Sequence, residues 1–261
     1  MPFRHLEYFL ITLLFWARGT TVGAMSLIAD DLIVLLSKPE GPVATGKDID
    51  AMLAGAVFCD LVLVGAVAVP DLQQRRPRVG ITEGTTPADP FLATALARLR
   101  DEQEKSKKPL TTQKAIEALT ENLHRSLMER LKELGVVRSK QKKFLFIPAG
   151  TAWRLAEGVT GDELRKSIAR QLDTGPISTA PKVDERTGAL LGFLAAGKKV
   201  EHAIDGSAPN RKELIEQAQE AAEASAADSA VRKAIKKAAD EAAIMAASAA
   251  IAASTTVVTS S

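Results

Sequence analysis

Between Thr112 and Gly135, six apolar residues recur every three or four positions: Ile116, Leu119, Leu123, Leu127, Leu131 and Leu134. That spacing gathers them on one side of an α-helix, and a stripe of leucines must be covered by other elements to leave water. Thr112 has a side chain suited to the start of such a helix, and Gly135 has the backbone freedom suited to its end. One long helix packed against a core is therefore predicted over these residues.

The rest of the chain supplies the cover. Ile49, Leu53, Val57, Leu61 and Val64 recur at helical spacing after Lys47, and Gly65 closes that helix. Leu27 to Leu36 is an apolar helix or strand interrupted by Asp30 and Asp31, stopped by Lys38-Pro39-Glu40-Gly41-Pro42. Further helices are predicted at Phe91 to Leu99, Asp162 to Leu172 and Gly188 to Ala203, with one or two more in the Ala-rich stretch from Arg211 to Ala253. Short strands are predicted at Ala66 to Val69 and around Val79 to Thr82, the latter inside a surface loop from Leu72 to Pro90. Val136-Val137 and Phe144 to Ile147 form a two-stranded hairpin around a basic turn, Arg138 to Lys143. The fold class is mainly α, a single helical-bundle domain with one or two small β-hairpins; an aromatic share of only 4% agrees with helix over sheet.

Residues 1–24 stand apart. Arg4 and His5 precede an apolar run from Tyr8 to Trp16, the outline of a secretory signal, yet the run falls short of the roughly 20 residues a membrane span needs. Met25 offers a second start. The expected organisation is an N-terminal extension over 1–24, signal-like or an upstream start, one domain over 25–253, and a disordered tail over 254–261.

Several chemistries are disfavoured by residue type. Cys59 is the only cysteine, so no internal disulfide forms and the default setting is cytosolic. His5, His124 and His202 are scattered, which leaves no metal-ligand cluster. There is no glycine-rich phosphate loop, nucleophile elbow or His pair at metal spacing, so no catalytic residue and no cofactor are expected. Asp30 and Asp31 read as the polar face of a buried element, and Arg75, Arg76 and Arg78 as solvent-facing loop residues. Charge is more informative. From Lys105 to Arg154 there are twelve Lys/Arg against four acids, a local +8, whereas the whole chain is +2. Such asymmetry marks a surface for phosphate-bearing partners, either anionic lipid or nucleic acid.

Three blocks carry a resemblance. They are Ser26 to Gly41 (SLIADDLIVLLSKPEG) with Leu53 to Val69 (LAGAVFCDLVLVGAVAV), Glu121 to Ile147 (ENLHRSLMERLKELGVVRSKQKKFLFI), and Asp184 to Ile204 (DERTGALLGFLAAGKKVEHAI). In order and spacing the chain from about Met25 to Ala253 resembles the Golgi phosphoprotein 3 family, in the manner of its shorter bacterial members. The resemblance implies a largely helical domain with small hairpins. In eukaryotic members it implies recognition of phosphatidylinositol 4-phosphate and capture of glycosyltransferase tails. The family's headgroup positions align with Thr45, Ala54, Glu121 and His124; with Lys47 and Arg125 close by in sequence, the candidate headgroup set here is Lys47, His124 and Arg125. The family's hairpin is apolar, membrane-contacting and self-associating. Its counterpart here joins Arg138, Lys140, Lys142 and Lys143 to Phe144, Leu145 and Phe146. A basic residue near anionic lipid contributes roughly 1 kcal/mol, and inserted aromatic side chains add buried apolar area.

The expected function is a non-enzymatic adaptor, cytoplasmic and peripheral to the membrane. It would bind anionic phospholipid, with a membrane-protein tail or a second copy as further partners. Two alternatives stay open: a nucleic-acid-binding protein using a helix and a basic wing, and a protein scaffold without lipid.

Overall fold

A computed structural model of the chain describes residues 27–144, 147–172, 183–224 and 230–255. In chain order the elements are α1 (Ile28–Leu36), α2 (Lys47–Leu63), β1 (Val67–Ala68), β2 (Gly80–Ile81), α3 (Pro90–Ser106), α4 (Thr112–Thr120), α5 (Leu123–Glu133), β3 (Val137–Phe144) and β4 (Ile147–Leu155). They are followed by α6 (Asp162–Leu172), α7 (Glu185–Ala196), a 3-10 turn (Val200–Ala203), α8 (Arg211–Ala224) and α9 (Ala230–Thr255). The two sheets are antiparallel pairs, β1 with β2 and β3 with β4, so the fold is mainly α with small hairpins.

Helix α2 is the axis of the bundle. Every residue from Ala51 to Val62 is buried, and a helix apolar all round belongs in a core rather than on a surface. Gly55 lets α7 and α9 come close: a Cβ there would lie 2.7 Å from Phe193 Cε1 and 2.9 Å from Ala242 Cβ. Cys59 lies in the same wall, fully buried, with its thiol pushed well up by burial. Helix α1 lies beside α2, and its apolar residues Ile28, Ala29, Leu32, Ile33 and Leu35 are sealed from water.

Charge holds α1 in place. Asp30 and Asp31 are both 4% exposed, and the sequence reading of them as the polar face of a buried element agrees with that burial. Arg186 of α7 donates to Asp31 Oδ2 at 2.6 Å and lies 3.8 Å from Asp60 Oδ1. Arg130 of α5 reaches Asp30 at 3.4 Å and Asp89, the capping residue of α3, at 2.7 Å, with its guanidinium 5.8 Å from the Phe91 ring centroid. Asp60 in turn accepts the Ile28 N–H at 3.0 Å, satisfying an amide that the first turn of a helix leaves unpaired. Burial outweighs these favourable contacts and pushes the Asp60 carboxyl up to about 7; Asp30 is raised for the same reason.

Four expectations need correction. The stripe from Thr112 to Leu134 is not one helix: it breaks at Glu121–Asn122, where Asn122 takes a left-handed φ of 56°, a conformation that asparagine tolerates better than most side chains. Ile116, Leu119, Leu123, Leu127 and Leu131 still reach the core, but Leu134 is 55% exposed. The hairpin is longer than predicted, because Arg138 to Lys143 lie within β3 rather than in a turn, and Trp153 and Leu155 belong to β4. The apolar helix ends at Ala196, and α9 runs on to Thr255, past the boundary expected at 253. Residues 1–24 lie outside the described residues.

Candidate functional site

The hairpin is seated by its base. Val137 stands opposite Leu155, both buried, and the pairing then runs Arg138 with Arg154, Ser139 with Trp153, Lys140 with Ala152 and Gln141 with Thr151. An irregularity between Gln141 and Lys143 shifts the register, so that Lys143 pairs with Pro148 and Phe144 with Ile147. The outer edge of β4 is covered at the base: the Val43 N–H donates to the Trp153 carbonyl at 3.0 Å, and the Leu155 N–H to the Gly41 carbonyl at 3.3 Å.

Side chains alternate across a strand, so Arg138, Lys140 and Arg154 share one face of this ribbon. All three are exposed. Arg154 Nε donates to the Glu40 carbonyl at 3.2 Å; among the described residues no carboxylate pairs with any of the three. Like charges directly opposite on two strands repel, and an anion laid across the face would relieve that repulsion. Lys142, Lys143 and Phe144 continue β3 toward the tip, while Leu145 and Phe146 lie outside the described residues.

Of the residues expected to hold a headgroup, Lys47 begins α2 and His124 and Arg125 lie in the first turn of α5. Gly46 precedes α2 with φ of 142°, and a Cβ there would sit 2.6 Å from Asp48 Oδ1, so the entry to the helix depends on glycine. Lys47 opens α2 and is exposed; His124 of α5 is half-buried, and Arg125 is exposed. One turn after Lys47, burial raises the Asp50 carboxyl while the His124 imidazole opposes the rise. Asp50 Oδ1 and His124 Nε2 are both buried without a hydrogen-bond partner. Of the other aligned positions Thr45 and Glu121 are exposed, and Ala54 is fully buried beneath the surface.

Two members of this surface were not among the site residues expected from sequence. Arg154 counted only toward the basic cluster, although the period-two pattern of Ala152, Trp153, Arg154 and Leu155 made its strand legible. Asp50 was one more polar residue on a helix, and its coupling to His124 is tertiary. Among the described residues no helix is long and apolar enough to cross a membrane, and no group of three metal-ligating side chains converges.

No curated protein sequence matches the chain. The family model for Golgi phosphoprotein 3 (GPP34) matches residues 28–241, which begins with α1, ends in α9 and takes in the hairpin and the charged braces described above. With most of its length matched, the chain belongs to the Golgi phosphoprotein 3 family.

Proposed function

We propose that this chain is a peripheral membrane adaptor that docks on anionic phospholipid through its β3–β4 hairpin, on the cytoplasmic side and without a catalytic step. The observation that carries the reading is the face shared by Arg138, Lys140 and Arg154, three exposed cations without a carboxylate partner among the described residues. Their strand leads directly into the sequence Phe144-Leu145-Phe146. Cations near anionic lipid contribute roughly 1 kcal/mol each, and apolar side chains buried at the headgroup boundary add to that. Family membership supports a Golgi phosphoprotein-like adaptor. The headgroup would rest on Lys47, His124 and Arg125, with phosphoinositide as one anionic lipid among several. A membrane-protein tail and a second copy meeting at the hairpin complete the proposal.

The test is sedimentation with vesicles of phosphatidylcholine alone and of phosphatidylcholine mixed with phosphatidylserine, beside a gel shift on duplex DNA at the same salt. Pelleting only with the anionic vesicles, without a shift, supports the adaptor. A shift without pelleting replaces it with nucleic-acid binding, and neither signal leaves a lipid-independent scaffold.

A further inference from the structure

Two loops distant in sequence are stitched side by side. The Thr112 N–H donates to the Pro77 carbonyl at 3.1 Å and the Val79 N–H to the Leu110 carbonyl at 2.8 Å, with Arg78 bridged to Thr111 between them. Pro77, Val79, Leu110 and Thr112 point inward and are buried, so the neighbouring side chains point out.

What points out is positive. Residues 72–80 and 105–114 contain Arg75, Arg76, Arg78, Lys105, Lys107, Lys108 and Lys114 and no acid, and all seven cations are exposed. Arg78 Nη1 donates to the Pro109 carbonyl at 2.7 Å, holding that guanidinium beside Lys108, and Lys105 meets Glu102 at 3.8 Å. The other five form no ion pair among the described residues. Asp71, Asp101, Glu104 and Glu117 flank the two loops without entering them.

This face is separate from the hairpin. The hairpin base is bonded to Gly41 and Val43, just ahead of α2, whereas Arg78 lies in the loop that joins β1 to β2, after α2. Helix α2 has 17 residues and so is about 25 Å long. The twelve-cation cluster of the sequence is thus divided among several places, with Arg130 taken up by the interior brace. One of them gains three arginines that sequence alone placed in an unrelated loop.

We propose that the face formed by Arg75, Arg76, Arg78, Lys107, Lys108 and Lys114 is a second docking surface for an anionic lipid bilayer. Its apolar side chains Val79 and Leu110 are buried, and the cleft of about 190 Å³ between α7, α8 and α9 is lined by none of its residues. With Val79 and Leu110 turned inward the loops offer a peptide little apolar grip, whereas their diffuse charge suits the diffuse charge of a lipid surface. The same end of α2 also exposes Val64, at 50%, an apolar side chain free to enter the headgroup layer. Two attachment points on one molecule raise the effective concentration of each for the same bilayer and fix how the protein lies on it.

The proposal shares its ligand with the hairpin reading, and different variants test the two. Arg75→Gln, Arg76→Gln, Lys107→Gln and Lys108→Gln are combined in the full chain. Affinity is measured on vesicles of phosphatidylcholine and phosphatidylserine in roughly two-to-one proportion at low salt. At about fivefold per charge, removal of four charges lowers binding roughly 600-fold. The control removes the same charge elsewhere through Lys166→Gln, Arg170→Gln, Lys198→Gln and Lys212→Gln, and retains most of the affinity. Unchanged thermal melting of both variants confirms that they fold. Vesicle affinity equal to that of the parent overturns the proposal, as does a loss no larger than the control's; a loss confined to duplex DNA overturns it in favour of nucleic acid. Arg138→Gln with Lys140→Gln reports on the hairpin separately: if that pair has no effect while the quadruple variant fails to bind, the hairpin reading falls and the second surface stands.

Discussion

Arg186 donates to Asp31 at 2.6 Å across 155 residues of sequence, tying α7 to the first helix of the domain. The Asp31 side chain is 6% exposed and that of neighbouring Asp60 4%. Removing the cation takes this countercharge from two buried carboxylates, and breaking a buried pair in that way costs about 3–5 kcal/mol. Arg186→Ala is expected to destabilise the domain by that amount in urea denaturation, with Arg186→Lys recovering only part of it because a lysine cannot reproduce the planar fork.

The Asp60 carboxyl makes stability depend on pH in a defined direction. Its folded value of about 7 lies above the ordinary 3.8, so the folded state holds its proton more tightly than the unfolded chain. The stabilisation from this group is complete below pH 4 and is lost as pH rises through 7. Asp60→Asn keeps an oxygen for the Ile28 N–H and removes the titration. The variant is expected to flatten the melting temperature between pH 5 and 8, as followed by calorimetry, and to exceed the parent above pH 7.

Gly55 stands where α7 and α9 press on α2. Gly55→Ala places a methyl within 3 Å of Phe193 and Ala242, and overpacking of this kind costs about 1–3 kcal/mol. Adding Phe193→Leu to Gly55→Ala is expected to recover part of the loss, which a double-mutant cycle measures as coupling.

Arg138 faces Arg154 across the hairpin. Arg138→Glu turns that repulsion into attraction, worth about 0.2–1 kcal/mol to the ribbon, and at the same time replaces a cation with an anion on the proposed docking face. The expected result is slower amide exchange at the base of the hairpin together with weaker pelleting on anionic vesicles. A purely structural role for Arg138 would move the first and leave the second unchanged.

Asn122 holds a left-handed conformation between α4 and α5. Asn122→Gly is expected to be near neutral, and Asn122→Val to cost on the order of 1–2 kcal/mol; chemical denaturation distinguishes them.

The helices were legible because burial writes a period into the chain: Ile116 to Leu131 announced a core-facing side, and Gly65 and Gly135 marked where α2 and α5 stop. The break at Asn122 was not legible, since the stripe keeps its spacing across the turn. The hairpin cations drew notice as a run, but their placement in a strand depended on the pairing of Arg138 with Arg154 and Lys140 with Ala152, which no local pattern specifies. Lys47 and His124 were named from the resemblance, whereas Asp50 entered only when α5 was laid against α2. The stitch between Val79 and Leu110 is likewise a long-range backbone pairing, so Arg76 and Lys107 looked unrelated in sequence.

The brace on α1 bears on how the protein is made. Synthesis delivers Asp31 long before Arg186, so during elongation the first helix emerges with its acidic pair uncompensated and its apolar side uncovered. The full brace on α1 therefore waits for the C-terminal half of the domain, although α2 and Arg130 of α5 reach it earlier. A nascent chain halted before α7 would hold α1 without the Arg186 contact, leaving Asp31 short of that countercharge.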